Sequence, residues 1–277
     1  MSTLNLVGCG RVGQTLARLW QQQHTFVIQD VLTTSLSSAR AACDFIGAGQ
    51  PVPTLAAMRP ADVWLLGTPD AQLPAVAQAL ADRALPAAVV FHCSGALDIG
   101  LLAPLAAQGW HSASAHCILS FASAASALTQ FAGTPCALEG PPEACAPLQQ
   151  AFEAIGARCF AVASEHKLLY HAAAVFATNF VPVLQAVAEE AWRATGVPPD
   201  LLPGLRARLL THAVANITTL GPAGALTGPA ARGDTAAIAR QGVAVSAWDP
   251  LAGAAYQALS TLALRLAAQR AAPPPPA

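Results

Sequence analysis

The segment TLNLVGCGRVG at residues 3–13 restricts what this chain can fold into more than any other. An apolar run over residues 4–7 leads into Gly8-Cys9-Gly10-Arg11-Val12-Gly13, and residues 14–23 read as a helix. The order is strand, glycine turn, helix. Gly8 permits the tight turn, Gly10 leaves the backbone bare, and Gly13 lets the helix lie close to the strand. The unpaired N–H groups at the helix start, backed by the helix dipole, form a seat for a pyrophosphate. Gly8, Gly10, Arg11, Val12 and Gly13 are the first candidate dinucleotide-binding residues.

Of 277 residues, 54% are apolar and 10% charged, so a large core can be buried. A net charge of −1 with no basic block argues against a nucleic-acid partner. The seven cysteines include no CxxC pair, which fits free thiols in a reducing cytosol. With no basic leader before the first strand, no signal peptide is expected and the location reads as cytoplasmic. The most apolar long stretch, residues 172–188, is interrupted by Asn179, Pro182 and Gln185, and an interior helix is expected there rather than a membrane span. Residues 271–277 hold four consecutive prolines and read as a disordered tail.

Downstream of the glycine turn, strands and helices alternate. Residues 26–32 read as a second strand, ending in the hydroxyl-rich turn Thr33-Thr34-Ser35, and residues 36–46 as a helix capped by Ser35 or Ser37. The end of this strand selects the cofactor: an acid bonds the ribose of NAD, whereas a basic or hydroxyl-rich turn accepts the 2′-phosphate of NADP. Asp30 is spaced correctly for such an acid, yet the apolar run continues through Val31 and Leu32 and leaves it inside the strand. Thr33, Thr34 and Ser35, with Arg40 beyond, favour NADP(H); NAD(H) is the alternative if Asp30 ends the strand. Residues 61–67 and 87–91 read as buried parallel strands. The first closes in Thr68-Pro69-Asp70, with Asp70 capping a helix at 71–81, and the second in His92-Cys93-Ser94-Gly95. A helix is expected at 101–108, and two more strands, 134–139 and 158–163, bracket a helix at 142–155. This alternation implies an α/β fold: a Rossmann-type, doubly wound, mainly parallel sheet with ligands beyond the carboxyl ends of its strands. Thr68, Pro69 and Ser94 therefore join the cofactor candidates, and Ser94 and Gly95 the substrate candidates.

Residues 109–121 carry His111 and His116, and His116 follows a short strand that should end near the ligand. The chain has no HxH, HExxH or CxxC pattern, so no metal is expected. From residue 164 strand signals vanish. Helices read at 165–193, with Ser164 as N-cap, and at 201–220, 235–242 and 250–270. Lys167 and His171, four apart, share a helix face, with Asn179 further along about the same side. They can supply a proton donor and an orienting partner. In LTGPAARGD at 226–234, Arg232 can hold a carboxylate by two parallel hydrogen bonds, or Asp234 can cap the next helix with Arg232 paired to it. The chain thus divides into a dinucleotide-binding domain (1–163), an all-α domain (164–270) and a tail (271–277).

GCGRVG (8–13), GTPD (67–70), HCSGAL (92–97), HCILSF (116–121), KLLYHAAAVFATNF (167–180) and ALTGPAARGD (225–234) together carry a resemblance. The chain resembles a bacterial family of Rossmann-like oxidoreductases with a C-terminal helical domain of unassigned function. That family is related to the 6-phosphogluconate dehydrogenase C-terminal-like group, which includes ketopantoate reductase and pyrroline-5-carboxylate reductase. The resemblance implies a nicotinamide cofactor and a homodimer built from the helical domains, and it puts Lys167 where the group has its catalytic lysine. His171 stands where those enzymes often carry asparagine, and Thr34-Ser35 where the family commonly has Arg-Ser. The expected activity is reduction of a small keto or imino acid, with Lys167, His171, Asn179 and His116 catalytic and Arg232 on a substrate carboxylate. The alternative is a dinucleotide-binding sensor or scaffold that transfers no hydride; a third reading is a helical interaction protein.

Overall fold

Short strands that are apolar on both faces, such as VWLL at 63–66, are stable only inside a sheet covered on both sides. The computed structural model describes residues 1–271, so the proline tail read at 271–277 lies almost wholly outside the described residues. The first elements are β1 (Thr3–Val7), α1 (Arg11–Gln22), β2 (Val27–Leu32), α2 (Leu36–Ile46), β3 (Gln50–Val52), β4 (Val63–Leu66), α3 (Leu73–Ala81) and β5 (Val89–His92). They are followed by α4 (Ala103–Ala106), β6 (His111–Cys117), α5 (Ala124–Gln130), β7 (Pro135–Glu139), α6 (Pro142–Ala154) and β8 (Arg158–Ala161). The eight strands form one sheet in the order β3-β2-β1-β4-β5-β6-β7-β8. Every neighbouring pair is parallel except β6 and β7. This is a Rossmann-type, doubly wound α/β fold.

Each face of the sheet has its own core. On one, Leu4, Leu6, Leu16, Trp20, Phe91 and Phe152 are buried together. Trp20 meets Phe26, Phe91 and Phe152 edge-on, and its indole N–H donates to the Ala151 carbonyl at 2.9 Å. On the other lie Val7, Trp64, Leu66, Leu73, Val90 and Trp110. One register row on this second face runs Val7, Leu66, His92, Ser114, Glu139 across five strands. It begins apolar under α3 and turns polar at β5. From β5 on, the row carries His92, Ser114 and Glu139.

By contact the chain splits into two compact units, Met1–Phe176 and Ala177–Ala277. The first ends with α7 (Lys167–Ala174), and a π-helical turn, Val175–Asn179, follows it. The second holds α8 (Phe180–Ala194), α9 (Leu202–Ala225), α10 (Gly228–Ala231), α11 (Thr235–Trp248) and α12 (Pro250–Ala271). Gly221, at φ 69° and ψ 170°, breaks α9 one residue before Pro222, as a left-handed glycine can.

Four local expectations give way to tertiary structure. Asp70 caps no α-helix; it opens a 3-10 turn, Asp70–Gln72, and its carboxylate accepts from the Ser94 hydroxyl instead. Ser164 likewise donates to Glu139 rather than capping a helix. The helix expected at 235–242 runs on to Trp248, because Gly242 sits against the Tyr256 ring and does not end it. The apolar stretch expected in the interior is not buried: Val183 is 56% and Leu184 44% exposed. By length and composition alone, Ser164–Ala194 could cross a membrane, and none of its most apolar window is buried in the single chain.

Candidate active site

The glycine turn lines a cavity of about 740 Å³. Its wall includes residues 7–14, Leu32, Thr33, Thr34, Ser38, Gly67, Thr68, Pro69 and Phe121. Gly8 is at φ +83°, and a Cβ there would lie 2.5 Å from the Thr68 amide nitrogen, so only glycine fits. At Gly10 nothing lies within 4 Å of the Cβ position, so the backbone is bare toward the cavity. Gly13 differs from its expected role: a Cβ there would meet Cys9 Sγ and the Gly8 carbonyl at 3.5 Å, ordinary contact that does not require glycine. Gly10 is also the N-cap of α1 and contributes no capping side chain, which leaves the first amides of a twelve-residue helix for an anion. Arg11 reaches across to the Phe121 carbonyl at 3.4 Å. The Thr68 hydroxyl is buried without a hydrogen-bond partner among the described residues. A bare cradle, free helix amides and an orphaned hydroxyl suit a dinucleotide.

The far end of the cavity bears on the cofactor's ribose. Asp30 lies inside β2, 1% exposed, and binds the Arg59 guanidinium at 2.6 Å and the Arg59 backbone N–H at 2.7 Å. Its carboxylate is used within the protein and does not reach the cavity wall. The turn presents Thr33, Thr34 and Ser38 to the cavity. Ser35 is the N-cap of α2: its hydroxyl accepts from the Ser38 N–H, and Ser38 reciprocates in a capping box. Ser35 therefore shapes the turn instead of lining the cavity.

Next to this cavity a smaller one, about 150 Å³, shares Val12, Gly13, Gly67 and Thr68 and extends to Asp70, Cys93 and Ser94. The Ser94 hydroxyl accepts from the Ala96 and Leu97 N–H groups and donates to Asp70. With those partners it organises the loop rather than offering a free hydroxyl. The Ser94 N–H donates to His92 Nδ1, so His92 Nε2 carries the proton given to the Asp98 carbonyl. Burial, then the Lys167 charge, pulls His92 down to about 4, so it stays neutral.

Lys167 opens α7 and is buried, its side chain 4% exposed. Its Nζ donates to Glu139 Oε2 at 2.6 Å and to the Ser114 hydroxyl. Glu139 Oε1 also accepts from the Ser164 hydroxyl at 2.6 Å and the Ile99 N–H at 3.0 Å. Burial pushes the Glu139 carboxyl up, but the hydrogen bonds from Lys167, Ser164 and Ile99 outweigh it and hold it below the usual range. Glu139 and Ser114 were absent from the sequence-derived candidates. They come together only because β7 runs antiparallel to β6 and sets Ser114 opposite Glu139.

One turn after Lys167, His171 meets His116. A Cβ on Gly95 would lie 2.4 Å from His171 Nδ1 and 2.7 Å from His116 Nε2. The two imidazoles thus pack against the Gly95 backbone and leave no room for a side chain there, and His171 Nδ1 is buried with no hydrogen-bond partner among the described residues. His116 lies inside β6, not after it, and its Nδ1 shares a 2.8 Å hydrogen bond with the Tyr170 hydroxyl. Burial first, then the neighbouring His171 and Lys167, lowers His116 to about 4. Asn179 ends the π-helical turn and accepts from the Thr178 hydroxyl at 2.8 Å. Arg232 is exposed, and Asp234 caps α11 through the Ala237 N–H at 2.9 Å.

Comparison with known proteins agrees with this architecture. Residues 2–117 match a Rossmann-like domain, and residues 134–263 match a domain of unknown function, DUF2520. A crystal structure of a Thermotoga maritima protein, 25% identical, superposes with a TM-score of 0.77 over 97% of this chain and 100% of that one. A Bacteroides fragilis protein provisionally named an NADP oxidoreductase, 24% identical, gives 0.70 over 95% and 98%. Pyrroline-5-carboxylate reductase from Coxiella burnetii, 15% identical, gives 0.58 over 96% and 98%. No curated protein matches the chain by sequence. The two matches lie side by side, so the chain joins a Rossmann-like domain at residues 2–117 to a domain similar to DUF2520 at residues 134–263.

Proposed function

We propose that this protein is an NAD(P)-dependent oxidoreductase, preferring NADP(H), that reduces a small keto or imino acid. One observation carries the reading. The bare-backbone cavity at Gly10 and the buried Lys167 cluster lie along the same edge of one sheet, joined by the row from Val7 to Glu139. The names of the relatives in fold, an NADP oxidoreductase and a pyrroline-5-carboxylate reductase, agree with it.

A bound nicotinamide dinucleotide supplies the hydride. The amides following Gly10 hold its diphosphate, Arg11 adds charge, and Thr33 and Thr34 receive the ribose end. No carboxylate stands there to repel a 2′-phosphate, since Asp30 is paired with Arg59. An ammonium has three donors. Glu139 and Ser114 take two from Lys167, leaving one for the oxygen or nitrogen on the carbon being reduced. Lys167 is the proton donor, and Glu139 and Ser114 fix it in place. His116 and His171, packed together against Gly95 beside this cluster, are the proposed orienting residues. Arg232, exposed on the helical unit, is proposed to hold a substrate carboxylate from the partner subunit. The exposed apolar side chains of α8 and α9 support a homodimer through the helical unit.

Lys167→Met tests this. With wild-type protein, NADPH is consumed against some member of a panel of 2-keto acids and cyclic imines. The variant should bind NADPH within about threefold of wild type and turn over about 10²-fold or more slowly, the scale of a lost general acid. Equal turnover would refute the role. The sealed position of Lys167 favours a second reading, a dinucleotide sensor without hydride transfer; tight NADPH binding with no oxidation across the panel would select it.

A further inference from the structure

Three cysteines occupy one row of the sheet. Cys117 on β6 is the register partner of Cys136 on β7, and Cys136 that of Cys159 on β8. Register partners have Cα atoms about 4.5–5.5 Å apart in a sheet, inside the range a disulfide spans. Their side chains leave the sheet together, on the face covered by α6 and opposite Lys167. The Cys117 thiol donates to Cys136 Sγ at 3.6 Å, and Cys159 stands beside Cys136 in the register of the next strand. Cys117 and Cys136 are buried, whereas Cys159 is half-buried on the edge strand, with Sγ 4.0 Å from the Gln149 carbonyl. The row therefore leads from a thiol within reach of solvent to two sealed ones. The proposed reduction uses none of them.

We propose that Cys159, Cys136 and Cys117 form a thiol relay that reacts with a hydroperoxide at the sheet edge and stores the oxidation as a disulfide further in. Cys159, as thiolate, attacks the terminal peroxide oxygen; the O–O bond breaks, giving a Cys159 sulfenic acid and water or an alcohol. The Cys136 sulfur attacks the sulfenic sulfur, expels water and forms the Cys136–Cys159 disulfide. Cys117 then attacks Cys136 Sγ and releases Cys159 as a thiol, its proton coming from Cys117. Two thiols are oxidised in all, and one hydroperoxide is reduced. The neighbouring Cys136 and then burial hold the Cys159 thiol above the usual range, and Cys117 and burial do the same for Cys136, so the thiolate fraction is small and the reaction is slow.

The test is made on the full chain, with hydrogen peroxide as probe. Treated protein is alkylated in denaturant and mapped by mass spectrometry, with and without dithiothreitol. The expected product is a reducible disulfide containing Cys136, first with Cys159 and on longer incubation with Cys117. Cys159→Ser should slow formation of any Cys136 disulfide at least about tenfold, as loss of the accessible thiol requires. Cys136→Ser should leave Cys159 as sulfinic acid, with no link to Cys117 two strands away. Circular dichroism establishes that each variant is folded. A Cys136 that stays reduced while Cys145 or Cys159 oxidises overturns the proposal, and so does a Cys117–Cys136 disulfide that forms as fast in Cys159→Ser. Neither readout depends on dinucleotide binding.

Discussion

Glu139→Gln removes one charge and almost no volume, which makes it the cleanest perturbation of the buried pair. Lys167 and Glu139 are each 4% exposed and 2.6 Å apart. At an effective dielectric of 20 their attraction is about 6 kcal/mol, much of it offset by the desolvation of both groups. Removing one partner is costlier than that balance suggests, because the ammonium is left buried and unpaired; such changes cost about 3–5 kcal/mol. Glutamine can still accept from Ser164 and the Ile99 N–H, so about 3 kcal/mol is expected. For a domain of this size that lowers Tm by roughly 6–12 °C. The pH dependence gives a second check. Glu139 is held below its usual range, so its contribution is fully present above the unfolded-state value of about 4.3. The contribution is lost as pH falls through the lower, folded value. Calorimetry should therefore show a constant gap between wild type and Glu139→Gln from pH 7 to about 5, closing in more acidic solution. Adding Lys167→Met should recover most of the loss, since no buried charge then remains. A Tm within about 2 °C of wild type at pH 7, or a gap that does not change down to pH 3, would refute the reasoning.

Other expected outcomes follow from single contacts. Gly8→Ala should destabilise the protein and abolish NADPH binding, whereas Gly13→Ala should change Tm by less than about 2 °C and leave binding intact, because its Cβ meets only ordinary contacts; thermal shift with and without NADPH separates them. Asp30→Asn should cost about 1–2 kcal/mol through the weakened Arg59 bond in denaturant unfolding, with the NADPH-to-NADH affinity ratio unmoved. Val183→Asp on the exposed face of α8 should convert the proposed homodimer to a folded monomer in sedimentation velocity; a dimer that persists in the variant would place the interface elsewhere.

Much of the fold was legible in the sequence because its signals are local. The glycine turn, the apolar runs at 4–7, 61–67 and 87–91, and the loss of strand signals after residue 164 each report on neighbouring residues. Asp30 could be read as lying within the strand, since Val31 and Leu32 continue the apolar run. Its partner Arg59 could not, because α2 and β3 lie between the two residues in the chain. Asp70 and Ser164 look like helix caps by local chemistry, and both are drawn into tertiary hydrogen bonds with Ser94 and Glu139. Lys167 and His171 were found by their helical spacing. Glu139 and Ser114 were not, because their meeting depends on the one antiparallel pairing in the sheet, and no spacing in the chain encodes that register. The π-helical turn at Val175–Asn179 left no sequence signal either; its residues read as ordinary helix.

The central claim is that bare backbone at the first turn holds a dinucleotide, and Gly10 tests it most directly. Its φ of −76° suits any residue and its Cβ direction is open, so Gly10→Leu should fold normally while filling the space the diphosphate needs. Fluorescence titration with NADPH should saturate for wild type and weaken at least about 100-fold for Gly10→Leu, some 2.7 kcal/mol, at an unchanged Tm. Wild-type protein that never saturates, or a variant that binds as tightly as wild type, would contradict the account.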